Sequence, residues 1–226
     1  MTLYEQEETP MFDFKAIGDA LIACDEAKVL ELVKSGLNQG IPAKDLLSRG
    51  LIAGMDVVGE RMEKEEMFIP EVLMAAKAMG AAVAILRPQL ADADVGAAGK
   101  VVIGTVKGDL HDIGKNLVAM MLESAGLEVY NLGVDIAPER FVQEISEKNA
   151  DILALSALLT TTMPMMKETV AAIAKAGMRD RVKIMVGGAP VSQAFAEQIG
   201  ADGYAPDAGS AARLAKSLME KRLVTA

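Results

Sequence analysis

Val101-Val102-Ile103-Gly104-Thr105-Val106-Lys107-Gly108-Asp109-Leu110-His111-Asp112-Ile113-Gly114-Lys115-Asn116 is the stretch that decides the fold. Its first six residues are β-rich and lack the polar alternation of a half-exposed strand. Its middle is polar and flanked by glycines, and a helical pattern begins near Ile113. An unalternating strand followed by a loop and a helix belongs to a parallel sheet covered on both faces. The pattern repeats downstream. β-rich runs at 127–131, 152–156 and 182–186, and a weak one at 203–205, alternate with amphipathic segments beginning near Pro138, Met163, Ser192 and Asp207. Five such strands predict a doubly wound, Rossmann-like (flavodoxin-like) parallel sheet. Its ligands are expected beyond the carboxyl ends of the strands.

Upstream the period is helical throughout. Phe14, Ile17, Leu21 and Ile22 recur at helical spacing, and Asp25 can cap a second helix carrying Val29, Leu30, Val33 and Leu37. A third helix behind Pro42 places Leu46, Leu47, Leu51, Met55, Val58 and Met62 on one face. The polar stretch 63–66 breaks it, and Pro70 starts a fourth with Leu73, Met74, Val83 and Leu86. Four helices with short links predict an antiparallel bundle. Residues 91–99 are small and polar and read as a linker. The expected organisation is a helical domain over 1–94 and a sheet domain over 95–226, an α/β chain overall.

The chain has 226 residues, 51% hydrophobic, and a net charge of −9, so phosphate backbones are repelled and nucleic acid is not an expected partner. One cysteine, Cys24, excludes an intramolecular disulfide and a cysteine-based zinc cluster, and reads as a small buried hydrophobe. No apolar run is read as the roughly 18–20 residues of a membrane span. Residues 1–10 are acidic, without the pattern of a signal peptide, so a cytoplasmic protein is expected. Any Ser-His-Asp or multi-histidine mechanism must pass through the single histidine, His111.

The loop after the first strand fails two phosphate readings. It lacks G-x-G-x-x-G, and between Gly108 and Gly114 it holds one residue too many for a Walker loop. His111 between Asp109 and Asp112 reads in two ways. It can be an axial ligand to a metal already held by a macrocycle, with Asp109 accepting its other N–H. Alternatively, Asp109 or Asp112 caps the following helix and His111 is solvated. Two other loops at the same edge favour the first. Ser156 to Thr162 is hydroxyl-rich, and Gly187-Gly188 would let something bulky approach the backbone. Together they fit a large ligand along the sheet edge.

With these residues in place, the chain resembles the cobalamin-binding family typified by cobalamin-dependent methionine synthase and the corrinoid proteins of methylotrophic methyltransferase systems. The family pattern D-x-H-x-x-G, S-x-L, G-G reads here as Asp109-x-His111-x-x-Gly114, Ser156-x-Leu158 and Gly187-Gly188. Val57-Val58-Gly59 and Met67-Phe68-Ile69-Pro70 resemble the family's helical cap. The resemblance implies a cobalamin (methylcobalamin or another corrinoid) with His111 as lower axial ligand to cobalt and Asp109 hydrogen-bonded to it. It implies cofactor contacts in the loop at Gly108, Leu110, Asp112, Ile113 and Gly114. The buried tail is implied near Ser156, Leu158, Gly187 and Gly188, with further cofactor contacts at Thr160 and Ala208. Met62 and Ile69, with Val72 one turn on, would pack on the methyl-bearing face, and Met67 would sit nearby. Thr162 stands where methionine synthase has the serine of its His-Asp-Ser relay, and Ser48 stands where its cap has a glutamate.

The activity so implied is that of a methyl carrier without catalytic residues of its own. Cob(I) accepts a methyl group from a small methylated donor through a substrate-specific barrel methyltransferase. Methyl-Co(III) then passes it to a second acceptor methyltransferase, and a reductive activation protein restores the carrier. No membrane is involved. The alternative within the resemblance is a cobalamin-dependent sensor.

Overall fold

The computed structural model describes residues 12–90 and 99–225. Residues 91–98 of the expected linker, and the acidic N-terminal residues 1–10, lie outside these. The helical half contains α1 (Phe14–Ile22), α2 (Glu26–Asn38), α3 (Ala43–Asp45), a π-helical segment (Leu46–Ile52), α4 (Ala53–Glu63) and α5 (Ile69–Leu90). Asp13 and Asp25 cap the first two by accepting from Ala16 N–H at 3.2 Å and Lys28 N–H at 2.9 Å. The third expected helix is one continuous rod running α3, π segment and α4. The π turns sit where Gly50 lets α1 come close: a Cβ there would stand 2.9 Å from Ile17 Cδ1. Gly54 repeats this one turn on, with its missing Cβ only 2.7 Å from Gly18 Cα. The fourth helix begins at Ile69, and the Glu71 carboxylate reaches back to accept the Phe68 N–H at 2.8 Å.

One expectation is corrected. The 22-residue α5 holds an 18-residue stretch with a mean hydropathy of 1.7, long and apolar enough to cross a membrane. It packs inside the bundle, where Val72, Ala75, Ala76, Ala78, Met79, Ala82 and Leu86 are buried.

The second half alternates β1 (Lys100–Thr105), α6 (Ile113–Ser124), β2 (Glu128–Asn131), α7 (Pro138–Lys148), β3 (Ile152–Ser156), α8 (Met163–Lys175), β4 (Lys183–Gly187), α9 (Gln193–Ile199), β5 (Gly203–Tyr204) and α10 (Ala208–Thr225). All strand pairings are parallel, in the order β2-β1-β3-β4-β5. The chain turns one way from β1 to β2 and the other way to β3. The loops after β1 and β3 therefore diverge and open a crevice at this switch point.

Helices α7, α8 and α9 cover one face through Phe141, Ile145, Met166, Ile173 and Ala196. Helices α6 and α10 cover the other through Ala119, Leu122, Ala211, Ala215 and Leu218. Their outer sides join the bundle core through Leu117, Met121, Ala125, Ala208 and Ala212. The bundle thus sits on α6 and α10. The seam is tight at Gly59 and Gly209, where a Cβ on Gly209 would lie 2.6 Å from Gly59 O. Lys216 pairs with Asp56 at 2.7 Å, and Arg213 and Ser210 both engage Glu63.

Candidate functional site

Beyond Thr105 the chain leaves the sheet and enters the His111 loop with Gly108 at φ +81°. The loop is organised around the Asp109 carboxylate, which is fully buried. Oδ1 accepts the His111 N–H at 3.1 Å and lies 2.7 Å from the ring Nδ1. Oδ2 accepts the Leu158 N–H at 2.7 Å and lies 2.8 Å from Thr162 Oγ1. Burial alone would raise the Asp109 pKa. The Leu158 N–H, the His111 ring, the Thr162 hydroxyl and the His111 N–H outweigh it and hold the carboxyl well below the usual range. The ionised carboxylate fixes the tautomer: Nδ1 carries the proton and Nε2 keeps its lone pair. Among the described residues Nε2 has no partner, and the His111 side chain is half exposed.

The helix-cap alternative is not what the structure shows. Asp109 makes no cap bond to α6, and Asp112 occupies the N-cap position without a side-chain cap bond. Its Oδ2 instead accepts from Asn116 Nδ2 at 3.1 Å. Asn116 Oδ1 and Asn131 Oδ1 in turn receive the buried Lys115 ammonium at 2.6 and 2.7 Å. Burial pushes the Lys115 pKa down.

His111 stands at the mouth of an apolar cleft of about 610 Å³ between α6 and α10. Leu110, His111, Asp112, Ile113 and Gly114 line one side of it, Ser156 and Leu158 its head, Gly187 and Gly188 the β4 end, Ala208 the α10 side and Met62 the cap side. These eleven expected residues are therefore brought together. Gly108, Asp109 and Thr162 are not among the lining residues. Thr160 is exposed in the turn after β3 without lining the cleft, and Ile69 is half exposed outside it. Val72 and Met67 are buried in the bundle core, so neither presents a cap face to the cleft.

The glycine pair is also reinterpreted. At φ +130°, a Cβ on Gly188 would lie 1.9 Å from Ala157 O, and one on Gly187 would lie 3.0 Å from Ala205 O. The space they leave is taken by neighbouring backbone. Of the four expected site glycines, Gly114 is the one whose Cβ direction is open, with nothing within 4 Å. The sequence reading missed the cleft floor, formed by Ile103, Ala154 and Met185 with Ala205 and Ala211 beside it. Ala154, at a strand position where a parallel sheet favours Val or Ile, was the available signal. Among the described residues, no three His, Cys, Asp or Glu side chains group to hold a bare metal ion.

Residues 99–213 match the B12 binding domain family, and residues 14–87 match a second family also described as a B12 binding domain. The dimethylamine corrinoid protein 2 of Methanosarcina acetivorans is 44% identical over 204 residues, covering 90% of this chain and 94% of that protein. A cobalamin-binding protein from Desulfitobacterium hafniense DCB-2 is 32% identical with a TM-score of 0.81, covering 92% of this chain and 99% of that one. A chain of the methanol:cobalamin methyltransferase complex MtaBC from Methanosarcina barkeri is 29% identical with a TM-score of 0.79, covering 92% of this chain and 79% of that one. With both halves matched and a relative covered almost end to end, this chain belongs to the family of B12-binding corrinoid proteins.

Proposed function

We propose that the chain is a methyl carrier that holds a corrinoid between its helical cap (1–94) and its sheet domain (95–226). The cleft would take the nucleotide tail, and His111 would hold the cobalt through Nε2. The observation that carries this reading is the His111 ring, with Nδ1 committed to an ionised carboxylate and Nε2 unengaged at the mouth of an apolar cleft. The residues present fit a corrinoid. Leu110 and Ile113 are 71% and 81% exposed beside the histidine, apolar area that a macrocycle would cover. Gly114 leaves room at the start of α6 that any side chain would fill.

When bound, the cobalt supplies the methyl-accepting and methyl-donating chemistry, and the protein supplies ligation, orientation and cover. Asp109 keeps the ring in the tautomer that offers Nε2. Four hydrogen bonds keep the Asp109 carboxylate ionised, so it would hold the ring orientation whether or not a metal is bound at Nε2. Thr162 has one hydroxyl proton and two acceptors, Asp109 Oδ2 at 2.8 Å and Leu159 O at 2.9 Å. The threonine keeps the hydroxyl of the relay, with its extra methyl close to Gly108, whose absent Cβ would lie 3.7 Å away.

Ser156, Leu158, Gly187, Gly188 and Ala208 form the wall against the tail, and Thr160 flanks it. Met62 and Ile69 would cover the corrinoid from the cap side, with Val72 behind them in the bundle core. The cap shifts along the Gly59–Gly209 seam to admit partners: a barrel methyltransferase, a second acceptor methyltransferase and a reductive activation protein. Cytoplasm is the setting we propose for this exchange.

The test is reconstitution of the full chain with hydroxocobalamin. One equivalent should bind. After reduction, methyl iodide should methylate it, whereas dimethylamine, chosen for the relatives' names, should react only once a methyltransferase of a dimethylamine system is added. Rapid demethylation of dimethylamine or another natural donor by this chain alone would contradict the carrier reading.

A further inference from the structure

We infer that Asp135, in the loop after β2, is a positioning residue that presets the His111 loop for axial ligation, an inference that rests on His111 being the axial ligand. The two loops are zipped together. Gly133 O accepts the Thr105 N–H, and Thr105 O accepts the Ile136 N–H, each at 3.0 Å. Further out, Asp135 makes a reciprocal pair of bonds: its Oδ1 accepts the Gly108 N–H at 2.7 Å, and its own N–H donates to Asp109 O at 3.0 Å. From beneath, the buried Thr105 hydroxyl donates to His111 O at 2.8 Å. The Asp109 N–H donates to Val106 O at 3.1 Å. The backbone polar groups on either side of Asp109 are thus held by protein before any ligand arrives.

Asp135 makes this clasp from φ +56°, a left-handed conformation unusual for a residue with a side chain and tolerated best by Asn and Asp. Its carboxylate is exposed, so core packing does not account for it. Gly108, at φ +81°, is the residue it grips, and the next residue is the carboxylate that orients the histidine. A glycine in that position has wide backbone freedom unless something external holds its amide. Holding a ligand group to within a fraction of an ångström requires such support. Asp135 therefore acts on cobalt ligation through Asp109, without touching the ligand.

Two variants separate the carboxylate from the backbone conformation. Asp135→Gly keeps the left-handed turn and removes the acceptor. Asp135→Asn keeps both the turn and an oxygen that accepts the Gly108 N–H. In the cobalamin-loaded full chain, Asp135→Gly should move the histidine-on to histidine-off ratio of the Co(II) form about five-fold towards histidine-off, the loss expected from one hydrogen bond. Electron paramagnetic resonance reads that ratio, and Asp135→Asn should restore it. In the parent without cofactor, the Gly108 amide should exchange slowly with solvent deuterium. An unchanged ratio in Asp135→Gly, an equal fall in both variants, or free exchange at Gly108 would each overturn the inference. A parent chain with no histidine coupling at all would instead overturn the ligation reading beneath it.

Discussion

Replacing Asp109 with asparagine is expected to destabilise the chain by about 3 kcal/mol, because buried donors left without acceptors cost roughly 1–3 kcal/mol each. The substitution is nearly isosteric, yet the site cannot accommodate it. Both carboxylate oxygens act only as acceptors, and four donors converge on them. An amide offers one oxygen. Turned towards His111, it leaves its NH2 facing the Leu158 N–H and the Thr162 hydroxyl. Turned the other way, it faces the His111 N–H and Nδ1–H. The hydroxyl can retreat to Leu159 O, but the Leu158 N–H cannot. The loss has a defined pH dependence. The Asp109 pKa is lowered on folding, so its contribution is fully present above its ordinary value of 3.8 and is lost as pH falls through the folded value. Urea unfolding should show a constant gap between parent and Asp109→Asn above about pH 5, narrowing as the medium is acidified further. No gap at neutral pH would mean that the loop does not depend on the carboxylate.

The second large effect is expected at the seam between cap and sheet domain. Gly209→Ala places a methyl group 2.6 Å from Gly59 O and 3.2 Å from Gly59 Cα, all rigid helix backbone. The helices must separate, at a cost of about 1–3 kcal/mol for overpacking. Separation also loosens the Lys216–Asp56 and Arg213–Glu63 pairs. The variant should show faster amide exchange in α4 and a lower melting temperature. Gly80→Ala is the control. Its Cβ meets nothing within 4 Å inside a helix, so it should be neutral or stabilise by up to about 1 kcal/mol. Equal behaviour of the two variants would mean that the seam is not tightly closed.

Much of this architecture was legible from residue order. The β3 run at 152–156 coincides with the observed strand, and the helix starts at Ile113, Pro138 and Met163 are those observed. Unalternating apolar runs and flanking breakers carry that information locally. The π segment at Leu46–Ile52 was not legible, since one extra residue in the turn leaves the apolar pattern readable as an ordinary helix.

The site divides in the same way. His111, Gly114, Ser156, Leu158 and the Gly187-Gly188 pair carry their placement in loop position at the sheet edge. That Asp109 would accept from His111 was readable within the loop, but the Leu158 N–H was not, because that donor lies 49 residues away. Val72 illustrates a different lapse: it falls on the stripe with Ala75, Ala76, Met79, Ala82 and Leu86 that helical periodicity assigns to the core. Asp135 gave no local sign, since its role depends on β2 lying beside β1.

Histidine labelling tests the central claim without ambiguity, because the chain contains one histidine. The untagged chain, prepared with 15N-histidine, loaded with cobalamin and brought to the Co(II) form, should give a paramagnetic resonance spectrum split by a single axial nitrogen. The splitting should change from the triplet of 14N to the doublet of 15N, and His111→Ala should abolish it while cofactor remains bound in the cleft. A triplet that persists in the labelled protein would place a cofactor nitrogen on cobalt and contradict the assignment of His111 as the axial ligand.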